Sequence, residues 1–228
     1  MLRLLALVLC AFVAGCRVAP FPPAAYTFVQ LKTGTKTDLT PDEQRAVFGG
    51  HFANMERLAR EGKLLVAGPY GRQRSEDSLR GIFVLAAADV DEARVWAETD
   101  PGVVAGVFRL ELASLATRAA LREQLAADLA REDAVKASGR TPSPGEGGRG
   151  YVLLTVADAN AAAAALKDHG SVLLLGCLDG QRGLALLDAK DLAAAEELLA
   201  PLAPQLGAFT LDEWFGSGLL VDLPLRGL

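Results

Sequence analysis

The chain has 228 residues, 51% of them hydrophobic, and a formal net charge of −5. The apolar content is enough for a packed core, and the length suits one large or two small domains. Lysine and arginine are scattered rather than clustered, so we exclude nucleic acid as a partner, because phosphate backbones are bound by concentrated basic surfaces.

The N-terminus has the features of a bacterial export signal. Arg3 gives a basic start, residues 4–13 are apolar and uncharged, and small residues at 13–15 precede Cys16. The apolar run is too short to span a bilayer, and this arrangement is typical of a secretory signal peptide. The ending before Cys16 resembles a lipobox, which implies cleavage after residue 15 and acylation of Cys16. The alternative is an ordinary signal peptide in which Cys16 is incidental.

A lipid anchor at Cys16 would hold the protein on a membrane without a spanning helix. Residues 16–25 are rich in proline and predict a tether between the anchor and the folded part. Arg17 follows the cysteine where an aspartate would hint at inner-membrane retention, so we expect the outer membrane, facing the periplasm. Once Cys10 is removed with the signal, only Cys177 remains unmodified, and a single thiol cannot form an internal disulfide.

The folded part begins with a β-α-β-β-α-β order of elements, which is that of a ferredoxin-like unit. Thr40 and Glu43 form a capping box around Pro41 at the start of the first helix, and Gly62 favours its end. The second helix should end before Pro101, because the residue preceding a proline avoids helical geometry. The predicted elements are strand 26–32, helix 41–61, strands 63–67 and 79–86, helix 90–99 and strand 104–112.

The same order of elements returns in the second half. Residues 117–137 predict a connector helix packed on the first unit, and residues 139–150 have the composition of a flexible linker. Residues 62–68 align with 170–176, and residues 80–85 align with 182–187, so we interpret the chain as an internal duplication. The predicted elements are strand 151–159, helix 160–170, strands 171–177 and 182–189, helix 191–202 and strand 206–214.

His51 and Asp100 are the His–carboxylate pair whose surroundings suggest chemistry. His51 lies on the predicted buried side of the first helix, facing the sheet, and an imidazole beside a carboxylate can exchange a proton near neutral pH. Asp100, near the end of the second helix, could orient the ring and stabilise its charged form. The alternative is a core histidine bonded to the backbone and a helix-exit aspartate. The predicted buried stripe of this helix consists of Phe48, Phe52, Met55, Leu58 and Ala59.

The second half has no counterpart of this pair. The alignment places Ala159 opposite His51 and Pro201 opposite Asp100, and the first helix of the second half is much shorter. We therefore expect the first half to carry the site and the second half to be scaffold.

Four separated motifs stand in the first half of the chain: His51, LLVAGP at 64–69, RGIFVLAA at 80–87 and ETDPGVVAG at 98–106. In this order and spacing they resemble the YCII-related family. The resemblance covers about residues 26–112 and implies a ferredoxin-like unit that pairs into a dimeric α+β barrel, with its proposed His–Asp active site falling on His51 and Asp100. The sequence departs from the family at Gly102, where members commonly carry a bulky residue, which implies a wider pocket. Residues 33–50 look like an insertion.

Gly68, Tyr70 and Met55 are further candidates for lining a substrate pocket. Tyr70 could donate a hydrogen bond, although Gly-Pro-Tyr-Gly is also typical of a simple turn. Two distant histidines and one free cysteine do not make a metal site, and no phosphate-binding loop is present, so neither a metal nor a cofactor is expected.

These observations predict an α+β protein of tandem ferredoxin-like units that pack as an intrachain dimeric α+β barrel, either as a monomer or as a homodimer. We expect acid–base chemistry without a cofactor, of the isomerase or lyase type, on a small organic molecule. The alternative is a non-catalytic envelope module that binds a ligand or a protein. The predicted domains are the signal peptide 1–15, the tether 16–25, the YCII-like domain 26–115, the connector and linker 116–150, the degenerate second YCII-like domain 151–215 and the tail 216–228.

Overall fold

The computed structural model describes residues 21–141 and 146–223. The signal peptide, Cys16 and residues 142–145 of the predicted linker lie outside these ranges. All the named strands are paired antiparallel in one sheet. They are β1 (Tyr26–Thr33), β2 (Leu64–Pro69), β3 (Leu79–Leu85), β4 (Phe108–Thr117), β5 (Gly148–Val156), β6 (Val172–Leu178), β7 (Arg182–Leu187) and β8 (Phe209–Ser217).

The helices lie outside the sheet and connect its strands. In the described ranges, none of them has the length and apolar character to cross a bilayer. They are α1 (Pro41–Arg60), α2 (Val90–Ala97), α3 (Pro101–Val104), α4 (Leu121–Ala137), α5 (Ala159–Leu166), α6 (Leu192–Leu199) and α7 (Ala203–Leu206), followed by a 3₁₀ helix at Gly218–Asp222.

Both halves of the chain repeat the same strand order within a nearly closed barrel. The sheet runs β2-β3-β1-β4-β6-β7-β5-β8, so β4 and β6 join the halves at one seam. At the other seam Tyr70 bridges to Trp214, and the indole Nε1 of Trp214 donates to the Gly68 carbonyl at 3.0 Å. The predicted intrachain α+β barrel is therefore confirmed.

Gly68 permits the close approach at the second seam. A Cβ atom added there would lie 1.9 Å from the Phe215 carbonyl oxygen and 2.8 Å from the Trp214 ring. Only a residue without a side chain allows the two strands to come this close. Residues 68–70 therefore form a strand edge rather than the turn that their sequence suggests.

The two halves also share an irregularity in strand pairing. In the first half the pairing shifts between Leu64 and Val66, where β2 meets β3. In the second half it shifts between Val172 and Leu174, where β6 meets β7. These positions correspond in the alignment of residues 62–68 with 170–176, which supports the interpretation as a duplication.

The core has three layers because successive residues of a strand point to opposite faces of the sheet. In β1, Phe28 points into the barrel, whereas Val29 and Leu31 face the helices. A second helix-side cluster lies in the other half of the chain. The barrel interior joins residues of both halves, including Phe28, Ile82, Val84, Leu115, Tyr151, Leu153, Leu184 and Trp214.

Helix α1 begins and ends where the sequence predicts. Glu43 N donates to the Thr40 hydroxyl, and the Glu43 carboxylate accepts from Thr40 N at 2.7 Å, so the capping box is complete. Gly62 has φ +69°, a left-handed conformation that stops the helix at low cost. This helix carries His51 across the sheet.

The prediction was wrong about the segment after Asp100. We expected a strand from residue 104, but Pro101–Val104 is the short helix α3, and β4 begins only at Phe108. Asp100 is therefore the N-cap of α3 rather than the exit of the preceding helix, since its side chain accepts a hydrogen bond from Gly102 N. This turn of helix directs Asp100 towards α1.

Candidate functional site

His51 is held in a cage of aromatic rings on the inner side of α1. Its residue surface is 9% exposed. The ring is stacked on Phe83, with centroids 6.0 Å apart and an interplanar angle of 20°. Phe108 lies at 5.4 Å, Phe48 at 6.3 Å and Phe52 at 5.3 Å. These contacts restrict the orientation of the imidazole.

A hydrogen bond with Asp100 fixes the orientation of the imidazole. The carboxylate is completely buried, and its Oδ2 lies 2.7 Å from His51 Nδ1. Its other oxygen, Oδ1, accepts from Gly102 N at 2.8 Å. When Asp100 is ionised it can only accept hydrogen bonds, so it selects the His51 tautomer that is protonated on Nδ1. The neutral ring then carries its free lone pair on Nε2, which is the form that a general base requires.

Gly50 brings Asp100 within reach of His51. A Cβ atom at Gly50 would lie 2.9 Å from Pro101 Cγ and 3.1 Å from its Cβ. The missing side chain thus lets α3 pack directly on α1, one residue before the histidine. Gly49, by contrast, would meet nothing within 4 Å.

A polar clamp holds the residue before Asp100 against the same helix. The Thr99 hydroxyl lies 3.2 Å from Asn54 Oδ1, and Arg57 Nη2 donates to both, at 2.8 Å to Asn54 and 3.1 Å to Thr99. Asn54 is itself buried, and its Nδ2 has no hydrogen-bond partner in the described part of the chain. The clamp and the glycine contact both fix the spacing of the His–Asp pair.

The imidazole lines a cavity of about 240 Å³ between α1 and the sheet. His51 Nε2 makes no hydrogen bond with any residue in ranges 21–141 and 146–223, so a molecule in the cavity can contact it. The walls are mainly apolar and aromatic, which is typical of a site for a small organic ligand. The lining consists of Leu31, Phe48, His51, Phe52, Met55, Gly68, Pro69, Arg80, Gly81, Ile82, Phe83 and Phe108.

The structure brings together most of the residues that the sequence proposed for the site. His51, Met55 and Gly68 line the cavity, and Asp100 supports His51 from outside it. Tyr70 lies elsewhere, since its hydroxyl accepts from Gln30 Nε2 at 3.0 Å and lines a separate cavity at one end of the barrel. Burial raises the pKa of the Tyr70 phenol well above its ordinary value, so it remains protonated there.

Two expectations about the walls of the cavity were wrong. Phe52 was predicted to be buried but is 63% exposed, because its ring lies at the mouth of the cavity beside His51. Gly102 does not widen the pocket. A Cβ atom there would lie 2.5 Å from the Phe108 ring, so Phe108 occupies the space that a bulky residue would need.

Arg80, Phe83 and Phe108 are site residues that the sequence reasoning missed. All three belong to strands, and their positions relative to α1 depend on tertiary packing. One signal was available for Arg80, because a charged residue at the start of an apolar strand requires a polar or solvent-facing position.

The corresponding place in the second half is filled by side chains. There α5 packs directly on the sheet, so that a Cβ atom at Gly183 would lie 2.7 Å from Ala162 Cβ and 3.3 Å from Ala159 Cα. Gly81, its counterpart in the first half, instead lines the open cavity. Cys177 is a free, buried thiol in β6.

A family model, the YCII-related domain, matches residues 27–112. The match covers β1 to the first half of β4, and therefore both members of the His–Asp pair. No curated protein matches the chain. Among the residues that the structure describes, no group of three His, Cys, Asp or Glu side chains is placed to hold a metal ion.

Proposed function

We propose that the first half of the chain is an acid–base enzyme that moves a proton on a small organic molecule. His51 Nε2 is the proton acceptor and donor, and Asp100 is the positioning residue that holds the ring in one tautomer. The observation that carries the proposal is the buried 2.7 Å contact between Nδ1 and Oδ2, behind a ring that lines a cavity. A well-placed general base contributes about 10²–10⁴ in rate.

The chemistry that suits this arrangement starts at a carbon next to a carbonyl group. His51 Nε2 takes the proton, and the electron pair of the C–H bond moves into the carbonyl group to form an enolate. Return of the proton to the oxygen or, where a C=C bond is conjugated with the enolate, to the far carbon of that bond completes an isomerisation. Departure of a leaving group, with its bonding electrons, from the neighbouring carbon completes an elimination, after which His51 returns its proton to the leaving group or to water.

Deuterium exchange tests this proposal without knowledge of the natural substrate. Small carbonyl compounds with acidic C–H bonds are incubated with the protein in D₂O, and loss of the C–H signal is followed by proton NMR. We expect faster exchange with the wild type than with His51→Gln, whereas His169→Gln, which alters the other histidine, keeps the wild-type rate. If no compound exchanges faster with the wild type than with His51→Gln, the acid–base proposal is wrong.

A non-catalytic module that binds a small ligand is the second candidate. The apolar walls of the cavity favour it, and so does the second half, which keeps the same strand order without the His–Asp pair. The two candidates differ in what His51→Gln changes. If the protein is a binding module, both the wild type and His51→Gln bind a ligand in the cavity, and neither of them exchanges the protons of that ligand.

We also propose that the protein is a lipoprotein anchored to the outer membrane at Cys16 and facing the periplasm. The support is the small-residue ending before Cys16 and the Arg17 that follows it. Metabolic labelling with an alkyne-bearing fatty acid tests the anchor. Wild-type protein should be labelled and sediment with outer membranes, whereas Cys16→Ser should be unlabelled. Labelling of both proteins, or of neither, contradicts the anchor.

A further inference from the structure

Arg80 is the one permanently charged side chain among the residues that line the His51 cavity. It is exposed, and it forms no ion pair with any residue in the described ranges. The only hydrogen bond of its guanidinium within those ranges is a long one, 3.4 Å from Nη1 to the carbonyl of its neighbour Leu79. Several other arginines, such as Arg57 and Arg60, are instead paired with carboxylates. The guanidinium of Arg80 thus has no carboxylate partner in the described ranges, and Arg80 is one of the residues that line the cavity.

The remaining walls determine what the rest of that molecule looks like. Phe48, Phe83 and Phe108 surround the His51 ring, and no acidic side chain lines the cavity. An apolar cavity of about 150 Å³ is enough for benzene, so 240 Å³ accommodates a benzene ring with a short substituent. Arginine binds carboxylates through two parallel hydrogen bonds, which also fix their orientation.

We infer that the cavity takes a small aromatic or similarly apolar carboxylate, with its anionic group on Arg80 and its apolar body among the phenylalanines. The inference rests on the proposed function, because it names the substrate class for the proton transfer by His51. In a 2-keto acid such as phenylpyruvate, only the carbonyl carbon separates the carboxylate from the carbon with the acidic C–H bond. One molecule can therefore contact Arg80 and present a C–H bond inside the cavity.

Binding measurements test the inference independently of turnover. The probes are phenylpyruvate and phenylacetate, with phenylacetamide as the uncharged match of phenylacetate, and affinity is measured by calorimetry on the full chain. His51→Gln is used for phenylpyruvate so that no reaction occurs during the titration. We expect both acids to bind, the amide to bind about tenfold more weakly, and the affinity for the acids to fall with added salt.

Arg80→Gln should weaken binding of phenylacetate by about tenfold and leave the affinity for phenylacetamide unchanged. Arg72→Gln is the matched control, since Arg72 is an exposed arginine on the same hairpin that does not line the cavity. It removes the same charge and should leave both affinities unchanged. Equal urea midpoints of the two variants show that both remain folded.

The outcomes separate this inference from the proposed function. Unchanged affinity for the acids in Arg80→Gln, equal losses in both arginine variants, or no saturable binding of either acid would overturn the inference about Arg80. Proton transfer by His51 is tested separately, by the exchange experiment with His51→Gln. Conversely, binding that depends on Arg80 without any exchange by the wild type supports the ligand class and contradicts catalysis.

Discussion

Gly50→Ala tests how the fold positions the His–Asp pair. The new Cβ atom would lie 2.9 Å from Pro101 Cγ, whereas ordinary contacts begin at 3.4 Å, so the Pro101 ring must shift away from α1 by a few tenths of an ångström. Alanine is better than glycine inside a helix by about 1 kcal/mol. Overpacking costs about 1–3 kcal/mol. We therefore expect no net gain in stability and a loss of up to about 2 kcal/mol.

Gly49→Ala is the matched control for this substitution. It lies in the same helix, but its added Cβ atom meets nothing within 4 Å. We expect it to raise the free energy of unfolding by roughly 0.5–1 kcal/mol, through helix propensity alone. Urea unfolding of both variants measures the difference.

A double-mutant cycle identifies Pro101 as the cause of the difference between the two variants. Pro101→Ala removes Cγ, so it should restore part of the stability lost in Gly50→Ala. In a crystal structure of Gly50→Ala, the distance between His51 Nδ1 and Asp100 Oδ2 should also be longer than its present 2.7 Å. A Gly50→Ala protein that is as stable as Gly49→Ala, with an unchanged Nδ1–Oδ2 distance, would refute this explanation of how the pair is positioned.

Three other predictions concern single contacts. Asp100→Asn keeps an N-cap for α3 but no longer enforces the tautomer of the imidazole, so the rate of deuterium exchange should fall by about 10²–10⁴ with little loss of stability; an unchanged rate would remove Asp100 from the mechanism. Gly102→Ala places a Cβ atom 2.5 Å from the Phe108 ring and should lower the free energy of unfolding by about 1–3 kcal/mol, and a neutral result in urea unfolding would contradict that contact. Hydrogen bonding, from Lys32 above all, lowers the pKa of Glu111. Its contribution to stability is therefore present above the unfolded pKa of about 4.3 and is lost as the pH falls through the lower folded value. Lys32 also pairs with Glu76 and lowers the pKa of that carboxyl. Urea midpoints measured from pH 7 to pH 3 should therefore decline less steeply in Lys32→Met, and parallel curves would show that neither pair contributes.

The elements that the sequence specifies locally could be predicted. The ends of α1 could be predicted because they depend on hydrogen bonds and backbone geometry within a few residues, at Thr40, Glu43 and Gly62. The repeated glycines Gly81 and Gly183 suffice to align the two units. The barrel follows because each unit has an apolar sheet face that must be covered, and the other unit of the same chain covers it.

The features that depend on contacts between distant segments could not be predicted. An aspartate before a proline is compatible both with the end of one helix and with the N-cap of another. The four residues of α3 show no periodicity that would distinguish the two. The exposure of Phe52 and the position of Arg80 in the cavity depend on how α1 lies across the sheet. Tyr70 lies away from the His51 cavity because it pairs with Trp214 in the other half of the chain.

The tautomer of His51 tests the central claim most directly. Nitrogen-15 NMR distinguishes a protonated from an unprotonated ring nitrogen, and the only other histidine, His169, can be replaced to assign the signals. For the neutral ring in the wild type, we predict a proton on Nδ1 and a free lone pair on Nε2, and in Asp100→Asn a mixture of tautomers. A neutral ring protonated on Nε2, or a tautomer that does not change in Asp100→Asn, would contradict the account of Asp100 as the group that prepares His51 for proton transfer.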